Sequence, residues 1–313
     1  MHRFSRRRRL PALGLAAAML AWAAPAGAQD YFRSRSEKDA NTCLHWAERT
    51  YVYSVDRAGS GRTPDDDEVG AVDASFQAWR TVAGACSDFR FIKGNTPDAI
   101  FIGYRARESN QNVVTFRERS CEGVVPANDP CRNDDVGTSC RNAYQCWDDD
   151  SGTIALTTIT YNKTTGVIFD ADIEFNAANF LFTAVDSPPC PDGVPSGQCV
   201  ATDIRNTLTH EIGHAVGFDH VGNPGSTMEP SAVPGETSKR VVDTGTSDGF
   251  CAVYPRNVAT PSCSSSVATY RVVAESEGTA AFEDWGCGAA GRGMPSAFGM
   301  VGAGLWLWRR RRA

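Results

Sequence analysis

His210-Glu211-Ile212-Gly213-His214-Ala215-Val216-Gly217-Phe218-Asp219-His220 is the stretch whose reading decides the fold. Its pattern is HExxHxxGxxH. On a helix, His210 and His214 stand one turn apart on the same face, so their imidazoles can share one Zn²⁺. Glu211 projects beside the pair and can reach a water at the metal. Gly217 can end the helix, because glycine tolerates the left-handed conformation that reverses a chain. That reversal lets His220 return as a third nitrogen ligand. Three protein ligands leave a fourth position for water, the arrangement of catalytic rather than structural zinc. The ordinary alternative is a set of core histidines. It would have to place three of the chain's five histidines at ligand spacing within eleven residues.

The motif resembles that of the metzincin zinc metallopeptidases, whose signature adds a Met-turn downstream. Ser226-Thr227-Met228-Glu229-Pro230 is similar to that turn. The resemblance implies that Met228 floors the metal site, and a gap-filling role in the core is compatible with that. Met-x-Pro is similar to the matrixin version of the turn. Pro230 stands where other metzincins carry a tyrosine, so no tyrosine ligand is expected. The resemblance runs from about Trp46 to Pro255. It implies an α+β catalytic domain, with a twisted, mostly parallel sheet and an antiparallel edge strand packed on long helices. It also implies one catalytic Zn²⁺.

Both ends read as processing segments. Residues 1–28 have a charged start (Arg3, Arg6 to Arg9), an apolar run and Ala26-Gly27-Ala28, as a secretory signal does. Residues 287–313 join Cys287, an apolar stretch and Arg309 to Arg312, and resemble a MYXO-CTERM sorting tail. That resemblance implies attachment at the cell surface; the alternative is a plain C-terminal anchor held by its positive inner flank. Setting both ends aside removes ten arginines and no acids from 31 basic and 37 acidic residues. The acidic body that remains argues against nucleic acid and anionic membrane surfaces as partners. Membrane contact is expected only through the tail, and a monomer is expected. Eleven cysteines in an exported chain read as a disulfide framework, ten in the body and Cys287 in the tail. Local pairs within Cys121 to Cys146, and Cys190 with Cys199, are the natural guesses.

In chain order, residues 29–255 form the expected peptidase domain and 256–286 a linker. Asp30 to Asn41 is polar and is expected to be mobile. Residues 49–56, 89–92, 99–104, 153–161 and 167–175 read as strands. Val69, Val72, Phe76, Trp79 and Val82 predict a helix over 68–82, and the zinc helix is expected over 201–216. Residues 105–150 read as a disulfide-rich surface insertion. Alternation in 167–175 places Asp170, Asp172 and Glu174 on one face. These are a candidate Ca²⁺ set, although a solvated strand face is the plainer reading. In the matrixin order, 153–161 is the edge strand above the cleft, open to an added peptide strand. Val233 to Gly245 is expected to form the lower lip.

The expected reaction is hydrolysis of internal peptide bonds by a zinc-activated water, with Glu211 as general base. The alternatives are an inactive zinc-binding adhesion module, which has no need of Glu211, and a zinc hydrolase of cell-wall peptides. Overall the residues point to a secreted or surface-attached zinc metalloendopeptidase.

Overall fold

A computed structural model describes residues 31–63, 67–108, 110–133, 139–191, 194–263 and 281–289 of the chain. In order, the elements are β1 (Phe32–Arg33), β2 (Thr50–Val55), α1 (Glu68–Cys86), β3 (Arg90–Lys93), β4 (Asn112–Phe116), α2 (Cys121–Val124), α3 (Ser139–Tyr144), β5 (Thr153–Tyr161) and β6 (Ile168–Phe175). There follow β7 (Phe182–Thr183), β8 (Thr202–Asp203), α4 (Ile204–Ala215), β9 (Phe218–Asp219), β10 (Ser231–Ala232), α5 (Thr244–Val253) and β11 (Ala281–Ala289).

The sheet runs β10-β11-β5-β6-β4-β2-β3. Strands β3, β2, β4 and β6 are parallel, and β5 is antiparallel to β6. The architecture is the expected α+β one. The central strands β4, β5 and β6 are buried on nearly their whole length, as strands covered on both faces are. Tyr51, Tyr53, Ala155, Ile159, Ala171 and Ile173 enter the core under the helices. Val52 faces solvent.

Helix α1 forms where periodicity predicts it, and runs on to Cys86. Val72, Phe76 and Trp79 are fully buried, whereas Val69, read as part of the same stripe, is 46% exposed. Trp79 stacks on Phe218 and meets Phe250 edge-on, so α1 packs against both the metal motif and α5. Disulfide Cys86–Cys251 ties the end of α1 to α5.

Three expectations need correction. Residues 99–104 form no strand, although Ile102 is buried in a loop. The run assigned to the 105–150 insertion contains β4, which lies between β6 and β2. Five residues buried on both faces carry no alternation to read. The rest of that run is stapled as expected, by Cys121–Cys146 and Cys131–Cys140. Finally, Tyr31 to Leu44 is held rather than mobile. Strand β1 pairs with β9, Ser34 N–H donates to the Gly217 carbonyl at 2.9 Å, and Cys43 is bonded to Cys263. Backbone pairing of this kind leaves no mark in a polar side-chain pattern.

Candidate metal centre and cleft

Helix α4 starts at an Asp203 cap, whose carboxylate accepts the Asn206 N–H at 2.7 Å. The helix is buried along nearly its whole length, and aromatic donors hold its far end. Trp46 Nε1–H donates to the Ala215 carbonyl at 2.7 Å, Tyr254 O–H to Val216 at 2.8 Å and Trp79 Nε1–H to Thr209 at 2.9 Å. The first two occupy carbonyls that a helix C-terminus leaves without an intrahelical partner. The packing therefore fixes the helix end that carries the histidines.

Gly213 lies between His210 and His214, and a Cβ there would fall 2.2 Å from the Met228 Sδ. Only a glycine lets Met228, itself fully buried, press against the helix between the two histidines. Gly217 reverses the chain at φ +92°, and a Cβ there would lie 2.7 Å from the Leu44 carbonyl oxygen. His220 is thereby returned to the other two rings.

The three Nε2 atoms lie 3.0–3.2 Å from one another. His210 Nδ1–H donates to the Thr227 carbonyl at 2.6 Å, and His214 Nδ1–H donates to Phe218 at 2.8 Å. A carbonyl only accepts, so both Nδ1 atoms carry the proton and both Nε2 lone pairs point inward. Burial, followed by the neighbouring rings, pushes His210 and His214 well below the usual imidazole range. His220 is pushed down to about 4, chiefly by burial. Three neutral imidazoles with converging lone pairs are a donor set suited to zinc.

Glu211 is fully buried beside the triad. Its carboxylate accepts from the Thr157 hydroxyl of β5 at 2.7 Å. Reading the sequence missed Thr157, which is one threonine in a strand rich in them and carries no motif. It likewise missed Lys239, whose buried ammonium donates to the Ser231 carbonyl of β10 and to Glu236. Arg240 clamps Asp203 at the base of α4. The expected lower lip is thus braced against the helix. A small, mostly apolar cavity lies between them, lined by Ile154, Phe180, Thr207, Ala232, Val233 and Pro234 among others.

Asp170, Asp172 and Glu174 do share a face of β6, but that face is buried, not solvated. Glu174 pairs with Arg117 at 2.6 Å and Arg141 at 3.1 Å. Burial alone would raise its pKa, yet the two guanidiniums hold it below the usual range. Asp172 accepts the Gly103 and Val113 N–H groups. Asp170 meets Asp172. Burial pushes the Asp170 carboxyl up to about 7, and burial plus Asp170 pushes Asp172 well up. Asp170 therefore keeps a proton on folding that the unfolded chain releases near pH 4. The associated stability is present below that pH and is lost as pH rises through about 7. Asp170→Asn is expected to melt several degrees above the parent near about pH 8, with the gap closing near about pH 5. Thermal melts in chelator across that range check the sign.

A family model described as matrixin, of the M10 peptidases, matches residues 45–254. The chain belongs to the matrixin family of zinc metallopeptidases. No curated protein matches it. The proposed signal and all but the first residues of the sorting tail lie outside the described residues. Among the described residues, no helix is long and apolar enough to cross a membrane.

Proposed function

We propose that this protein is a secreted zinc metalloendopeptidase that cuts internal peptide bonds of proteins, with His210, His214 and His220 as the zinc ligands. The observation that carries this is the convergence of three Nε2 atoms, two from buried rings and one from the half-buried His220, beside the buried Glu211. Zinc, when bound there, supplies Lewis acidity and a water of lowered pKa. Thr157 orients Glu211 through its hydroxyl. Glu211 removes a proton from the attacking water and hands it to the departing amine. Strand β5 would offer backbone N–H and C=O groups to an extended substrate once its outer edge, paired with β11 here, is free. The cavity beside α4 takes an apolar side chain next to the cut. Met228 sets the floor by packing on Gly213.

Five disulfides fit an oxidising compartment outside the cytoplasm. With the proposed signal over residues 1–28, this supports export; the tail is proposed to hold the protein at the cell surface. We propose a monomer acting on protein or peptide, with no nucleic-acid partner. Calcium is a weaker proposal, because Glu174 is already committed to two arginines. Asp170 and Asp172 would have to serve without it.

The test is incubation of the mature protein with casein, gelatin and cell-wall peptides, with and without a zinc chelator. Cleavage of the proteins that chelator abolishes is the expected result. Cleavage of cell-wall peptides alone would move the substrate class, and no cleavage at all would leave a binding module. His214→Ala is expected to lose zinc by metal analysis, and full retention would count against the ligand set.

A further inference from the structure

The outer edge of β5, which an incoming peptide would need, carries β11 in this structure. Strand β11 runs antiparallel to β5, from Ala281 opposite Tyr161 to Gly288 opposite Thr153. On its other side it runs parallel to β10, with Ser231 opposite Gly288 and Ala232 opposite Ala289. Its backbone also lies against α4. It therefore fills the gap between the cleft's upper strand and the segment that follows Met228. Trp285 is the register partner of Thr157, the residue whose hydroxyl holds Glu211. The main chain of 281–289 thus passes beside the strand residue that holds the carboxylate assigned to proton transfer. The expected linker and tail meet in a strand of the sheet, since 281–286 close the one and 287–289 open the other.

We propose that residues 281–289 are a tethered occupant of the substrate cleft that holds the full-length protein latent until the segment is displaced or cut away. The proposal rests on the peptidase reading above. A strand edge pairs with one partner at a time, because each backbone N–H and C=O aimed outward is used once. The occupant belongs to the same chain, and Cys263 just before its connecting segment is pinned to Cys43. A tethered competitor of this kind has an effective concentration of order millimolar. A free peptide substrate binding in the micromolar range competes poorly against it.

The experiment compares the full-length protein with its Asp284→Pro/Trp285→Pro double variant. Adjacent residues of a strand present their N–H groups to opposite neighbours, so two prolines remove a donor from each edge of β11. Amide exchange is followed first, on zinc-free protein. The alternate β5 amides that face β11 are expected to lose protection at least about tenfold in the variant, while the β5 amides facing β6 and the β4–β6 amides keep theirs. Hydrolysis of a short peptide by the zinc-loaded proteins is measured next. The variant is expected to show kcat/KM at least about tenfold higher, mainly through KM. Equal β5 exchange in the two proteins would overturn the proposal whether or not the chain is a peptidase. Lost protection with unchanged kcat/KM would overturn the latency. Lost protection with no hydrolysis by either protein would overturn the peptidase reading and latency with it, leaving β11 as a structural strand.

Discussion

Glu211→Gln is expected to lower kcat by about 10²–10⁴-fold, with zinc content unchanged. The glutamine amide fits the same buried space and can still accept from the Thr157 hydroxyl, so the fold has no reason to give way. What disappears is the carboxylate that Thr157 holds beside the three imidazoles, and with it the group proposed to carry a proton from water to the leaving amine. The ligand set is untouched. Peptidase assays and metal analysis on the same preparation check both halves. A variant that turns over near the parent rate would remove Glu211 from the mechanism. Thr157→Val should fall much less, because it frees the carboxylate to wander without deleting it, and Thr157→Ser should restore the parent rate.

Replacing both Cys86 and Cys251 by alanine is expected to cost roughly 4 kcal/mol of stability, the figure that chain-entropy reasoning gives for a closed loop already shortened by the enclosing Cys43–Cys263 bond. The two cysteines are 165 positions apart, and the bond joins the last turn of α1 to α5. Between those helices lie Trp79, Phe89 and Phe250, packed ring against ring. Those rings back the helix that carries the histidines. Loss of the bond should therefore lower the melting temperature sharply and should also make zinc easier to strip. Calorimetry with and without zinc separates the two effects. Melting within a degree or so of the parent would show that aromatic packing alone holds these helices.

The metal motif was legible because its residues are tied to each other by local spacing: two turns of helix, one glycine reversal and a return. The same holds for β5, whose Thr/Ile pattern matches its observed limits. Less local features were not legible. Strand β4 is defined by the neighbours on either side of it, not by its own five residues. The carboxylates of β6 read as a solvated row, because the insertion that covers them, with Arg117 and Arg141 reaching Glu174, is remote in sequence. Thr157 matters only because α4 packs under β5. In each case the deciding partner is distant along the chain and its identity leaves no periodic trace.

The opening residues of the folded chain have a consequence for maturation. Phe32 and Arg33 pair with Asp219 and Phe218, immediately before His220, and Tyr31 packs where a Cβ on Gly249 would stand. A leader removed after Ala28, as proposed, spares this brace. A signal peptidase or scavenging exopeptidase that trimmed only a handful of residues deeper would unfasten the loop that brings the last imidazole home. The point of export cleavage is thus also a quality gate: the ragged N-termini common in recombinant secretion would yield correctly disulfide-bonded protein with a loosened grip on its metal.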